Sequence, residues 1–113
     1  MDREIYEVQE RIFALLMIRL DRLIQRRIPV RNVSPGPVQR TARLQFADGA
    51  TLLVRSQRSG SSAAVMHAIL EGRSVLLEAW QWQDDGLVLT LAVPIRRRMM
   101  RHCLILLGAD QPD

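Results

Sequence analysis

The sequence has little of several residue types, and each shortage excludes a class of protein. Only one of the 113 residues is cysteine, Cys103, so no disulfide can form within the chain, and we expect a reducing compartment such as the cytoplasm. The longest apolar run covers only residues 13–18, whereas a membrane-spanning helix needs roughly 18 apolar residues. The first ten residues include four acids where a secretory signal has basic residues. We therefore expect neither a disulfide framework, a membrane span nor a signal peptide.

The spacings typical of catalytic and metal sites are also missing. The sequence has no CxxC pair, no HExxH motif, no acidic calcium loop and no standard glycine-rich phosphate loop. The candidate ligands are His67, His102 and Cys103, but adjacent residues of one helix point about 100° apart and cannot converge on one atom. We therefore expect no metal, no cofactor and no catalytic residue, and we favour a protein that is not an enzyme.

All sixteen basic residues are arginine, and they exceed the twelve acidic residues, which gives a net charge of +4. Arginine binds phosphate and carboxylate groups through two parallel hydrogen bonds. Residues 31–60 carry five arginines against Asp48, whereas residues 61–93 carry Arg73 against four acids. A basic middle beside an acidic stretch predicts either binding of a polyanion or pairing between two copies of the chain.

Residues 2–27 are predicted to form one long helix, because apolar residues recur there every three or four positions. Pro29 ends it, since proline disfavours a helical conformation in the preceding residue. Residues 13–18 are apolar on every side, although a helix on the outside of a small domain buries only one. We therefore expect a homodimer, with an interface formed by Phe13, Leu16, Met17 and Leu20.

A first hairpin is predicted over 39–57, around the turn Ala47-Asp48-Gly49. A three-residue loop with Gly49 in the left-handed conformation gathers the apolar residues on one face, because it pairs Leu44 with Leu52. The opposite face then carries Thr41, Arg43, Gln45, Thr51, Leu53 and Arg55.

A second hairpin is predicted over 74–93, where Asp85-Gly86 suits a two-residue turn. This turn places Trp80 and Trp82 on the face that carries the leucines. Burial in the core is therefore favoured over a stacking platform for single-stranded nucleic acid.

Two further helices are predicted. The first covers 63–71, with Ser61 or Ser62 as its N-cap and Gly72 after its end. The second covers 95–107, because apolar residues recur there at helical spacing on one side and arginines fill the other. Residues 29–37 form an irregular connector and 109–113 a loose tail.

The predicted fold class is therefore α+β, a single small domain over 1–113 in the order α-ββ-α-ββ-α. The antiparallel sheet has its helices packed on one face.

Two anion-binding features are predicted. For the turn 59–62 a flexible capped turn is favoured, and the functional alternative is a phosphate bound by the free amides of Ser61 and Ser62 at the helix start, beside Arg55 and Arg58. In the last predicted helix, Arg97 and Arg101 lie one turn apart on a cationic face. The predicted nucleic-acid-binding residues are Arg40, Arg43, Arg55, Arg58, Arg96, Arg97, Arg98 and Arg101.

Three functions compete on this basis. The first is a basic regulatory protein that contacts DNA or RNA phosphates. The second is a protein–protein adaptor or chaperone-like dimer that holds a client protein. The third is an enzyme or binder of a phosphorylated small ligand at the turn 59–62. The charge favours the first.

Overall fold

The described residues form a six-stranded antiparallel sheet and two helices, so the predicted α+β class is confirmed. The predicted order α-ββ-α-ββ-α is wrong, because the observed order is α-βββ-α-βββ. The computed structural model describes the backbone of residues 2–56, 60–83 and 86–110 and the side chains of 14–56, 60–83 and 86–109. The strands lie in the order β1-β2-β3-β6-β5-β4. The elements are α1 (Asp2–Gln25), β1 (Val30–Pro35), β2 (Thr41–Phe46), β3 (Thr51–Ser56), α2 (Ser61–Leu70), β4 (Leu76–Gln83), β5 (Gly86–Ile95) and β6 (Arg98–Asp110).

The predicted C-terminal helix over 95–107 is wrong. Residues Arg98–Asp110 form β6, which lies at the centre of the sheet between β3 and β5. Leu104 and Ile105 point to opposite faces and are both buried, Leu104 under the helices and Ile105 among the side chains of neighbouring strands. The helical spacing of the apolar residues was therefore coincidental. The tail predicted at 109–113 is also corrected, because Ala109 and Asp110 belong to the strand; residues 111–113 lie outside the described residues.

The predicted connector over 29–37 is mostly a strand, β1. This strand lies at one edge of the sheet, where proline is tolerated because one side of an edge strand needs no N–H donor. A register shift between Val30 and Asn32 further interrupts its pairing with β2. Pro29 therefore lies directly before an edge strand and Pro35 is its last residue, and neither belongs to an irregular connector.

The first hairpin has the predicted register. Leu44 pairs with Leu52, and the Phe46 N–H donates to the Ala50 carbonyl at 2.8 Å. Gly49 has φ 95°, as the three-residue loop requires, and the Ala50 N–H donates to Asp48 Oδ1 at 3.0 Å. The turn and the apolar alternation are therefore confirmed.

The second hairpin differs from its prediction by one position. Gln83 pairs with Gly86, so residues 84 and 85, which lie outside the described residues, connect the strands. Trp80 and Trp82 lie on the leucine face as predicted, opposite Leu89 and Leu87. Trp80 packs against the core, whereas Trp82 is 52% exposed, so the core prediction holds for only one of them.

The chain consists of two α-βββ halves related by an approximate internal two-fold. The sheet order maps β1, β2 and β3 onto β4, β5 and β6, while α1 packs against β4 and α2 against β1. A shift of 45 positions aligns buried residues of the two halves, Leu20 with Val65 and Val30 with Val75. The Val30 N–H donates to the Val75 carbonyl at 2.9 Å. The edge strands β1 and β4 are therefore joined by a hydrogen bond at the point where each strand begins.

The hydrophobic core lies between the helices and one face of the sheet. Leu20 and Leu23 of α1 and Val65 and Ala68 of α2 are almost completely buried there. The other face of the sheet carries no helix among the described residues. The candidate site lies on this helix-free face.

Helix α1 ends in a Schellman motif that places an arginine where glycine is usual. The Ile28 N–H donates to the Leu23 carbonyl at 3.1 Å, and the Arg27 N–H donates to the Ile24 carbonyl at 3.2 Å. Arg27 has φ 50°, in the left-handed region that costs a residue with a Cβ atom roughly 1–2 kcal/mol. The second helix ends in the same motif with Gly72 at the equivalent position, as predicted.

Arg27→Gly is therefore expected to raise the free energy of unfolding by about 0.5–1 kcal/mol, because relief of the strain exceeds the added entropy of the unfolded chain. Urea unfolding followed by circular dichroism measures the change. Arg26→Gly is the control, because Arg26 is not left-handed and should lose stability. A loss of stability in Arg27→Gly would contradict the interpretation.

Candidate nucleic-acid interface

Three arginines lie on the helix-free face of the sheet. Arg43 of β2 pairs with Leu53, and Arg55 follows two positions later on the same face of β3. Arg55 in turn pairs with Ile105 of β6, and Arg101 lies four positions before Ile105, again on this face. We call Arg43, Arg55 and Arg101 the arginine row. The alternation that places Arg43 and Arg55 together was visible in the sequence.

Arg43 and Arg55 are the cationic part of the row. Arg43 is half-buried and its Nη1 donates to the Pro35 carbonyl at 3.2 Å, which fixes one side of the guanidinium. Arg55 is exposed. Within the part of the chain that the structure describes, neither has an ion pair with an acidic side chain. Both charges are therefore available to an anionic ligand.

Arg101 is already paired within the chain. Its Nε donates to Glu78 Oε2 at 2.7 Å and its Nη2 to Glu78 Oε1 at 3.1 Å, across β5. These hydrogen bonds, and then the attraction of the opposite charges, raise the pKa of Arg101. The Arg101 hydrogen bond also lowers the pKa of Glu78. Because both groups are exposed to water, the pair stabilises the fold only slightly, but it removes one charge from the row.

The middle of the helix-free face is apolar. Val88 and Ile105 are buried there, and Leu53 is half-buried between the arginines. Trp80 and Trp82 lie on the other face, and the Trp80 Nε1 donates to Asp21 Oδ1 of α1 at 2.8 Å. The face therefore offers a ligand the charges of Arg43 and Arg55 and the half-buried Leu53, but no ring from either tryptophan for base stacking.

The remaining predicted arginines do not join the row. Arg96 and Arg97 form the turn between β5 and β6, and the Arg96 carbonyl accepts a hydrogen bond from Arg73 at 2.7 Å. Because β6 is a strand, Arg98 and Arg101 point to opposite faces, so the predicted cationic helix face is wrong. Arg58 lies outside the described residues.

Arg40 lies at a cleft of about 530 Å³ that also includes the predicted anion-binding residues Ser61 and Ser62. The cleft opens between the β1–β2 connection and the first turn of α2. Gly36 is needed beside it, because a Cβ atom there would overlap Thr41. Arg55, which the sequence grouped with these serines, lies on the helix-free face instead.

The predicted serine N-cap is wrong. The N-cap of α2 is Gly60, with φ 91° and no side-chain hydrogen bond, and α2 begins at Ser61. The Ser61 side chain is buried, and its Oγ lies 3.2 Å from His102 Nδ1. Ser61 therefore connects α2 to β6. The sequence pattern does not indicate this contact, because it predicts a helix over residues 95–107.

The predicted dimer interface lies mostly on the inner side of α1. Leu20 is 0% exposed in the core, and Leu16 and Met17 are half-buried. The Phe13 side chain lies outside the described residues. Leu20 is thus covered by the chain itself and has no surface to offer a second copy.

The candidate metal ligands are dispersed. His67 Nε2 lies 2.9 Å from Glu71 Oε1 on the exposed side of α2, and Cys103 is exposed on β6. No group of three His, Cys, Asp or Glu side chains among the described residues could hold a metal ion. In the same part of the chain, neither helix is both long and apolar enough to cross a membrane.

No protein-family model matches this sequence, and comparisons with curated proteins and with solved structures find no significant match. The candidate function therefore depends on the chain's own geometry and charge.

Proposed function

We propose that the protein binds nucleic acid through phosphate contacts on the helix-free face of its sheet. The observation that carries the proposal is the position of Arg43 and Arg55 on adjacent strands of that face, with no acidic side chain paired to either among the described residues. A cytoplasmic location belongs to the same proposal and is supported by the single cysteine.

The spacing of the two arginines suits a phosphate backbone. They are diagonal neighbours across a strand pair, with Cβ atoms roughly 7–8 Å apart, so their long side chains can contact one nucleic-acid strand together. Leu53, between them, supplies apolar contact to sugar rather than a hydrogen bond to a base. The proposal is therefore binding with little sequence preference.

The absence of the tryptophans from this face favours a duplex over a single strand. Single-strand binding proteins combine charge with aromatic stacking of successive bases, and Trp80 and Trp82 lie on the other face. A duplex offers its phosphates without exposed base rings, so charge alone can bind it.

The double substitution Arg43→Gln with Arg55→Gln tests the proposal. Fluorescence anisotropy with a labelled duplex at several salt concentrations gives the slope of log K against log salt, which is about −0.9 for each phosphate contact. We expect the double variant to bind more weakly at low salt. The slope of log K against log salt should become less steep by the amount that corresponds to about two phosphate contacts.

Arg101→Gln is the matched control, because Arg101 lies on the same face but is already paired with Glu78. Arg101→Gln should change the slope of log K against log salt by less than half of the value for one phosphate contact. A wild-type protein that fails to bind duplex or single-stranded nucleic acid at low salt would refute the proposal, as would an unchanged slope in the double variant.

A second candidate is the protein–protein adaptor, which a different observation favours. Leu15 and Ile18 on the outer side of α1 are each 56% exposed, and exposed apolar side chains in a row mark interaction surfaces. An adaptor that binds only a client protein would show no binding of the labelled duplex in the anisotropy experiment.

A further inference from the structure

The first helix is longer than the fold requires. The internal two-fold aligns α2 with residues 16–25 of α1, because Leu20 corresponds to Val65. Ten residues therefore suffice to cover one half of the sheet, whereas α1 has 24 residues and is about 36 Å long. Among the described residues that the same shift aligns with this part of α1, none is helical, so the first turns of α1 have no helical counterpart there.

The outer side of α1, which faces away from the sheet, has an apolar stripe formed by Leu15 and Ile18. Leu15 and Ile18 lie three positions apart, hence on one side of the helix, and both are 56% exposed. Leu20 and Leu23 are fully buried on the inner side. The helix is therefore apolar on two sides, and the chain covers only one of them.

The charges along α1 are segregated. Residues 2–10 contain four acids and one arginine, which gives −3. Residues 19–27, which are the last turns of α1 and the two residues after it, contain four arginines and one acid, which gives +3. A second α1 running in the opposite direction would meet this helix with opposite charges at both ends. A parallel pair would bring like charges together, which is unfavourable.

We propose that α1 is a dimerisation helix that pairs with α1 of a second copy in antiparallel orientation, with the crossing point between Leu15 and Ile18. This pairing is isologous, because each helix uses the same stripe, and it closes at two chains. Charge complementarity selects the second copy as the occupant of the stripe. The proposal does not depend on nucleic-acid binding.

The mass of the full chain in solution, measured by light scattering, tests the pairing. Wild type should have the mass of two chains, and the double variant Leu15→Asp with Ile18→Asp should have the mass of one, with a dissociation constant raised at least about ten-fold. Because both side chains are exposed, the circular dichroism spectrum should be unchanged. Leu70→Asp is the matched control: Leu70 is 78% exposed on α2, and this variant should remain a dimer.

A cross-linking experiment tests the orientation. A crossing point midway between Leu15 and Ile18 brings position 7 of one copy opposite position 26 of the other. Chains with Glu7→Cys and chains with Arg26→Cys, each with Cys103→Ser to remove the exposed native thiol, are oxidised separately and mixed. An antiparallel pair gives disulfide-linked dimers only in the mixture.

Three outcomes would overturn the proposal. The first is a wild-type chain that stays monomeric at about 100 µM. The second is an assembly larger than two chains, which an isologous helix pair does not form. The third is cross-linking within each separate sample, which indicates a parallel pair. None of these results bears on the salt-dependent binding of nucleic acid by Arg43 and Arg55.

Discussion

Leu52→Ala is expected to lower the free energy of unfolding by about 2–5 kcal/mol, because it removes a fully buried side chain and leaves a cavity. Leu52 is 0% exposed and lies on β3, where it pairs with Leu44 on one side and Ala109 on the other. The surrounding strands are fixed by hydrogen bonds on both sides, so the cavity cannot close easily. Urea unfolding at equilibrium measures the loss.

Leu53→Ala is the control for this prediction. Leu53 is the next residue of the same strand, but it is half-buried on the helix-free face. Its replacement should cost about 1 kcal/mol or less, because neighbouring side chains and water can fill the space. Equal losses from the two substitutions would contradict the assignment of the core to one face.

The first hairpin could be predicted from the sequence because two independent signals agree there. Gly49 permits a left-handed turn residue, and the apolar alternation of β2 and β3 is consistent only with a three-residue loop. The same alternation places Arg43 and Arg55 on one face. Two of the three arginines of the arginine row could therefore be placed from the sequence pattern alone.

The C-terminal strand could not be predicted in the same way, because its environment is not local. β6 pairs with β3 and β5 at the centre of the sheet, so apolar residues occur on both of its faces and no alternation is visible. The arginines at the start of β6 have the spacing of a cationic helix face, so the sequence favours a helix there. The partnership of Arg101 with Glu78 was hidden for the same reason, since it joins β6 to β4 across the sheet.

The dimer residues show a further limit of sequence patterns. Residues 13–18 are apolar on every side, which correctly indicates that α1 has an uncovered apolar side, but the pattern does not distinguish the side on the sheet from the outer one. Leu20 belongs to the core, whereas Leu15 and Ile18 are exposed. Only the position of the sheet decides between them.

Leu20→Asp is therefore expected to unfold the protein rather than to separate two folded copies. The substitution removes a fully buried leucine and places a carboxylate among Leu23, Leu77 and other apolar residues of the core. A buried charge without a partner costs several kcal/mol in addition to the lost packing. A total loss above about 4 kcal/mol approaches the whole stability of a typical small domain.

Circular dichroism and thermal unfolding measure this effect, and Ile18→Asp is its control. Ile18 lies two positions away on the same helix but is exposed, so its replacement by aspartate leaves the fold intact and acts on assembly alone. The pair separates the two roles of α1 because the same charge is added on opposite sides of one helix. A Leu20→Asp variant that folds normally, with the mass of a single chain, would place Leu20 at an interface between copies and would show that the sheet does not cover it.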